Sequence, residues 1–290
     1  MAKAHQSLII SPARARSEEK LFRSPLRYPG GKQKAIEAIG RHLPRHVAEY
    51  REAMVGGGSV FFHARSMGLA DSYWLNDKFE ELSSFYLTVQ DEKKCRRLMR
   101  DLKNLLQSFK TAEQAKAFFL EARQREEKDA YKQALLFFFF NRVTFSGTTR
   151  AGGFSRSAAE SRFTLSSIER LEPMPLALEN VRITCLDFES QIKEPGDDVF
   201  IFLDPPYYTA SKLYGKDGSL HSFDHEKLAS LLQKTKHRFL ITYDDCPEVR
   251  KLYRFANIKG WSLQYGMNNC SVTRESKIGN ELFIANYPLK

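Results

Sequence analysis

A chain of 290 residues, 42% of them hydrophobic, is long enough to bury a large core as one domain or as a domain carrying an insertion. Its formal net charge of +10 favours a polyanionic partner without naming one. Cys95, Cys185, Cys246 and Cys270 lie too far apart to clip zinc or build a disulfide framework, "SLII" near the start is too short for a signal peptide, and "ALLFFFF" ending at Phe140 falls far short of a membrane span. The expectation is a soluble protein of the reducing cytoplasm.

Residues 1–24 lack periodicity and are expected to form a mobile arm. "YPGGKQKAIEAIGRHL" then reads as a turn and a helix, with Ile36 and Ile39 on its apolar stripe. "EYREAMVGGGSVFFHARSMG" reads as strand, glycine loop and helix, and "SYWLNDKFEELSSFYLTV" repeats the pattern with a strand ending near Asn76 and Asp77. From Asp91 to Phe140 helix follows helix, with Leu98, Leu102, Leu105 and Leu106 at helical spacing. Asn141 to Phe163 is rich in arginine, glycine and serine and reads as an exposed loop region. Strands resume in "NVRITCLDFES" and "DVFIFLDPPYY", followed by a loop and the helix "DHEKLASLLQKTK", for which Asp224 is the expected N-cap. "RFLITYDD" is another strand, and "WSLQYGMN" with "NELFIANY" form a closing pair. This rhythm predicts an α/β protein: a mostly parallel sheet covered on both faces, built from 25–90 and 181–290, with 91–180 inserted as a mainly helical unit. Ligands of such sheets bind beyond the carboxyl ends of the strands.

Gly56, Gly57 and Gly58 stand between a strand and a helix, where the backbone can approach a ligand closely. Their spacing is neither that of a P-loop nor GxGxxG, and a plain tight turn is the competing reading. Asp77, about twenty residues on at the next strand end, is placed to accept both hydroxyls of a ribose. Loop and acid together favour an adenosine-containing ligand, with NAD and S-adenosylmethionine both open at this point.

The apolar strand "VFIFL" runs into Asp204, Pro205, Pro206, Tyr207 and Tyr208. An exocyclic amine on an aromatic base is a poor nucleophile because its lone pair is delocalised into the ring. A carboxylate and a neighbouring carbonyl can hold its two N–H protons and favour a pyramidal, reactive nitrogen. Two prolines fix φ and offer no competing N–H. Tyr207 offers a face for base stacking, worth about 1–3 kcal/mol, against the few kcal/mol of extruding a base. A Pro-Pro turn with a capping aspartate is the alternative for "DPP" alone.

"YPGGK", the glycine loop and "DPPY" in this order resemble the Dam-type DNA adenine-N6 methyltransferases, and the likeness runs from about Pro25 to Pro288. The resemblance implies a Rossmann-like S-adenosylmethionine-dependent sheet with an inserted target-recognition domain. It also implies that Tyr28, Lys32, Gly56, Gly57 and Gly58 surround the methionine part of the cofactor, that Asp77 holds the ribose, and that Asp187 accepts from the cofactor's adenine with Phe188 packed nearby. By the same resemblance Asp204, Pro205, Pro206 and Tyr207 hold the target adenine for direct in-line transfer, with no covalent enzyme intermediate and no metal. Ala53 and Met54 replace the family's usual proline and phenylalanine, and the residues after Phe154 depart from its usual "NVP", which leaves the target sequence open. Cytosine-N4 methylation and a non-catalytic DNA-binding regulator are the competing functions.

Arg142, Arg150, Arg156 and Arg162 lie in or near the insert, with Phe145 and Phe154 between them. Arginine suits guanine or phosphate, and an aromatic can wedge into the space a flipped base leaves. A solvated basic loop over two buried phenylalanines is the competing picture. Arg150, which matches the family arginine, is the first candidate for base reading, while Lys212 and Lys216 could steady the DNA backbone. The expected partner is double-stranded DNA, bound by a monomer, with a cognate restriction endonuclease acting separately.

Overall fold

The computed structural model describes residues 21–209, 223–264 and 278–290. Its centre is one seven-stranded sheet of order β3-β2-β1-β4-β5-β7-β6. The strands are β1 (Val47–Glu52), β2 (Ala70–Asn76), β3 (Val181–Thr184), β4 (Val199–Leu203), β5 (Arg238–Asp244), β6 (Asn257–Gln264) and β7 (Ile278–Ala285). The first five in this order run parallel, and β7 is antiparallel to both its neighbours. All five residues of β4 are buried, the near-continuous apolar run that a parallel strand covered on both faces requires. The chain winds from β1 through β2 to β3 on one side, then crosses to β4 and β5 on the other. The β1/β4 seam is therefore the switch point of the sheet, where such folds open a crevice.

On one side α1 (Ile36–Gly40), α2 (Ser59–Ser66) and α3 (Glu80–Gln90) are followed by the insert helices α4 (Glu92–Ser108), α5 (Ala112–Gln124) and α6 (Ala130–Val143). Asp91, Thr111 and Asp129 start these last three by accepting the backbone N–H three residues on. The four consecutive phenylalanines of α6 are all buried, meeting Phe85, Phe118, Phe119 and Phe163, which is why this helix is apolar all round. One cluster joins Tyr50 and Phe61 to Leu98, Phe119 and Phe137, so the insert shares the core of the sheet. Short helices α7 (Arg156–Arg162), α8 (Leu165–Glu169) and α9 (Met174–Ala177) lead back to β3. The opposite layer is α10 (Phe188–Lys193), α11 (His225–Lys234) and α12 (Pro247–Leu252), packed over Ile201 and Phe239. Asp224 caps α11, accepting from Lys227 N at 2.8 Å. No helix of the described residues is long and apolar enough to cross a membrane.

Two expectations are corrected. The arm expected over 1–24 does not extend to its last residues: Phe22 N donates to Ser66 Oγ at 2.8 Å, and the Ser24 hydroxyl donates to the Gly57 carbonyl. Asn141 to Phe163 is not simply an exposed loop, since α6 continues through Val143, Thr144 and Phe154 bridge its two limbs, and α7 follows.

Candidate active site

β1 ends in the glycine loop. Gly56 and Gly58 have φ of +47° and +68°, the left-handed region in which a side chain is strained. A Cβ at Gly56 would lie 2.8 Å from the Tyr28 ring, and one at Gly58 2.8 Å from Tyr86 Oη, so the loop is closely walled. Tyr86 Oη donates to Gly56 O at 2.9 Å. Asp77, at the end of β2, accepts Gly56 N at 2.9 Å and Phe79 N at 3.0 Å. Burial pushes its carboxyl upward, opposed by these N–H groups. Buried Asn76 ties the strand ends together, donating to Ala53 O and Leu186 O and accepting from Leu186 N.

Next to this loop, across the switch point, β4 delivers Asp204. Lys32 Nζ stands 2.8 Å from Asp204 Oδ1, 4.9 Å from the centre of the Tyr207 ring and 3.0 Å from Gly30 O. Lys32, expected around the methionine part, thus reaches the acid of the DPPY corner. Thr242 of β5 donates to Asp204 Oδ1 at 2.7 Å, and Asp244 accepts the backbone N–H groups of Tyr208 and Thr209 at 2.8 and 2.9 Å. Glu52, 2% exposed at the end of β1, accepts from Tyr50 Oη at 2.6 Å; burial, with the nearby Asp204 and Asp77 charges, pushes its carboxyl up to about 8. Farther along, Asp187 caps α10 and lies 3.4 Å from Lys227 Nζ, which sits 5.4 Å over the Phe188 ring.

The glycine loop, Asp77, the Asp204 corner, Glu52 and Asp187 line one cavity of about 810 Å³, with Thr242 and Asp244 standing behind its wall. Its walls include every cofactor and catalytic residue expected from the sequence: Tyr28, Lys32, Gly56, Gly57, Gly58, Asp77, Asp187, Phe188, Asp204, Pro205, Pro206 and Tyr207. Glu52, Met54 and Lys227 line it as well. Sequence reasoning missed Glu52, Lys227, Thr242 and Asp244 as parts of the site. The signal was available for the last two: alternate residues of a strand share a face, and β5 neighbours β4.

The residues expected to bind DNA divide. Arg142 is 2% exposed; its guanidinium donates to Pro25 O and lies 4.9 Å over the Phe138 ring. Burial first, then the charges of Arg170, Arg27 and Arg162, bring its pKa down to about 9. It ties Pro25 to α6 and is not a DNA contact. Phe154 is half-buried, 5.7 Å from Phe119, and is not free to wedge. Arg150 pairs with Glu81 at 2.9 Å and donates to the carbonyls of Arg123 and Arg125 at 2.8 Å, holding the end of α5, so base reading requires it to leave these partners. Arg156 is exposed and pairs with Glu113 and Glu160, while Arg162 is exposed. Phe145 is 64% exposed. Lys212 and Lys216 lie outside the described residues.

The switch-point cavity, with a glycine loop on one strand and an acid-proline-proline corner on the next, defines a Rossmann-like methyltransferase. The chain belongs to the D12 class N6 adenine-specific DNA methyltransferases, whose family model matches residues 28–267. It is 27% identical over 292 residues to the Type II methyltransferase M.MjaIII of Methanocaldococcus jannaschii, covering 90% of this chain and 98% of that protein. It is 28% identical over 252 residues to a DNA adenine methylase of Vibrio cholerae, covering 82% of this chain and 87% of that protein. A DNA adenine methylase of Serratia marcescens is 25% identical over 252 residues, covering 82% and 89%. The protein is a DNA adenine-N6 methyltransferase, which sets aside the cytosine-N4 reading.

Proposed function

We propose that the methyl donor is S-adenosylmethionine and that the cavity holds it beside an adenine flipped out of duplex DNA. The observation that carries this reading is the convergence of the glycine loop, Asp77, Asp187 and the DPPY corner on one cavity large enough for both. The residues fit the donor. Asp77 keeps acceptor capacity for ribose hydroxyls beyond its two backbone bonds, Gly56 to Gly58 leave room for close approach, and Asp187 stands ready for an adenine amine beside the Phe188 ring. When bound, the donor supplies a methyl group on a positively charged sulfur.

The chain's own part is to bind, orient and desolvate. The Asp204 carboxylate and the Pro205 carbonyl accept the two N–H protons of the adenine amine, the prolines hold these acceptors in one direction, and Tyr207 stacks on the base. Exposed Phe145 fills the space the base leaves in the duplex. The protein acts on duplex DNA as a single chain in a reducing cytoplasm, the setting that four widely spaced cysteines suit. The name of the archaeal relative makes a separately acting restriction endonuclease the companion to look for.

The test is Asp204→Ala, assayed on genomic DNA that lacks adenine methylation. N6-methyladenine formation is lost, and calorimetric binding of S-adenosylmethionine is largely kept. Undiminished methylation would remove Asp204 from the reaction.

A further inference from the structure

The acceptor corner sits on β4, yet its geometry is set from β5. Leu203 is in register with Ile241, so Thr242 lies beside Asp204. Thr242 is buried, and its Oγ1 donates to Asp204 Oδ1 at 2.7 Å. Lys32 Nζ is 2.8 Å from Oδ1 and 2.9 Å from Oδ2. An ionised carboxylate offers about four acceptor sites, two on each oxygen. Thr242 hydrogen-bonds Oδ1 and Lys32 hydrogen-bonds Oδ2, with the Lys32 charge also against Oδ1, so Oδ2 keeps an acceptor site for a further donor.

We propose that Thr242 is a positioning residue for methyl transfer: its hydroxyl occupies Oδ1 of Asp204, fixes the plane of the carboxylate, and so reserves Oδ2 for the amine of the target adenine. The terminal torsion of an aspartate is broad, and the strand and prolines do not restrain it. Thr242 is β-branched and buried in a central strand, which holds its Oγ1 in place. Asp244, two residues on and on the same face of β5, clamps the other end of the motif through Tyr208 N and Thr209 N. With the backbone fixed there, the carboxylate torsion is the freedom left, and the Thr242 hydroxyl restrains it together with Lys32.

The proposal rests on the role given to Asp204, and the experiment separates the two. Thr242→Val and Thr242→Ala both remove the hydroxyl, the first keeping the volume, and Thr242→Ser retains it. Steady-state methylation of unmethylated genomic DNA is measured with each. In both removal variants kcat falls roughly 10- to 100-fold while KM for DNA and donor stays within about twofold, and serine recovers most of kcat. Wild-type kcat in either folded removal variant, or a serine variant as slow as valine, overturns the proposal. Asp204→Asn is run alongside. If it retains full turnover, the reading of Asp204 itself fails; if it is inactive while Thr242→Val turns over normally, only the positioning role fails.

Discussion

Glu52 is a wall of the cavity and also a reporter of its dryness. Burial and two neighbouring acids push its carboxyl up to about 8 from an ordinary 4.5. A carboxyl with a folded pKa above its unfolded value keeps a proton that the unfolded chain has released. Between about pH 4.5 and pH 8 the folded state therefore binds one proton more, and stability falls as pH rises through that window, by roughly a few kcal/mol in all. Glu52→Gln keeps an acceptor for the Tyr50 hydroxyl and abolishes the titration. Thermal unfolding followed from pH 5 to pH 8 is expected to show the wild type losing stability relative to this variant as pH rises. Parallel curves for the two proteins would mean that Glu52 is ionised throughout. Such a group was not legible in "YREAMVGGG", because nothing in a strand-end glutamate says that Asp204, far along the chain, will arrive beside it.

The elements of the sheet were readable for a physical reason: a strand buried on both faces is an apolar run with turn residues at its ends, as in "VFIFLDPPYY" and "RFLITYDD". The acid-proline-proline corner of the cavity was readable too, because it lies in consecutive residues. The stretch from Asn141 to Phe163 misled because composition shows charge and not burial. Arg142 belongs to the last turn of a helix whose four phenylalanines are buried, and it goes into the core with them, paired to a carbonyl and a ring. This gives a contrast between two arginines of one basic stretch. Arg142→Ala removes a charged hydrogen bond and leaves a cavity, and is expected to lower stability by about 2–4 kcal/mol in denaturant unfolding. Arg162→Ala, at an exposed site, is expected to leave stability within about 0.5 kcal/mol and to weaken DNA binding. An exchange of these two phenotypes would reverse the assignment.

At the scale of the molecule, the segment proposed to read DNA is fastened to the glycine-loop side of the sheet. Arg27 N donates to Asn141 Oδ1 at 3.0 Å, and the next residue, Tyr28, lies against Gly56 and Gly57. Phe145 is therefore held a few residues from a strap that itself walls the cavity, so the proposed wedge and the pocket share one frame. Around that frame the chain carries a net charge of +10. If this excess serves the duplex, binding is driven by release of counterions from the phosphates, with a slope in log K against log salt of about −0.9 for each phosphate contacted. A footprint of several arginines and lysines predicts a slope of about −4 or steeper between 50 and 200 mM salt, with Arg162→Ala flattening it by about one unit. Fluorescence anisotropy with a labelled duplex, at fixed S-adenosylmethionine, gives both numbers. A slope near −1 in the wild type, unchanged by Arg162→Ala, would detach the positive charge from DNA binding and leave recognition to the few groups around the flipped base.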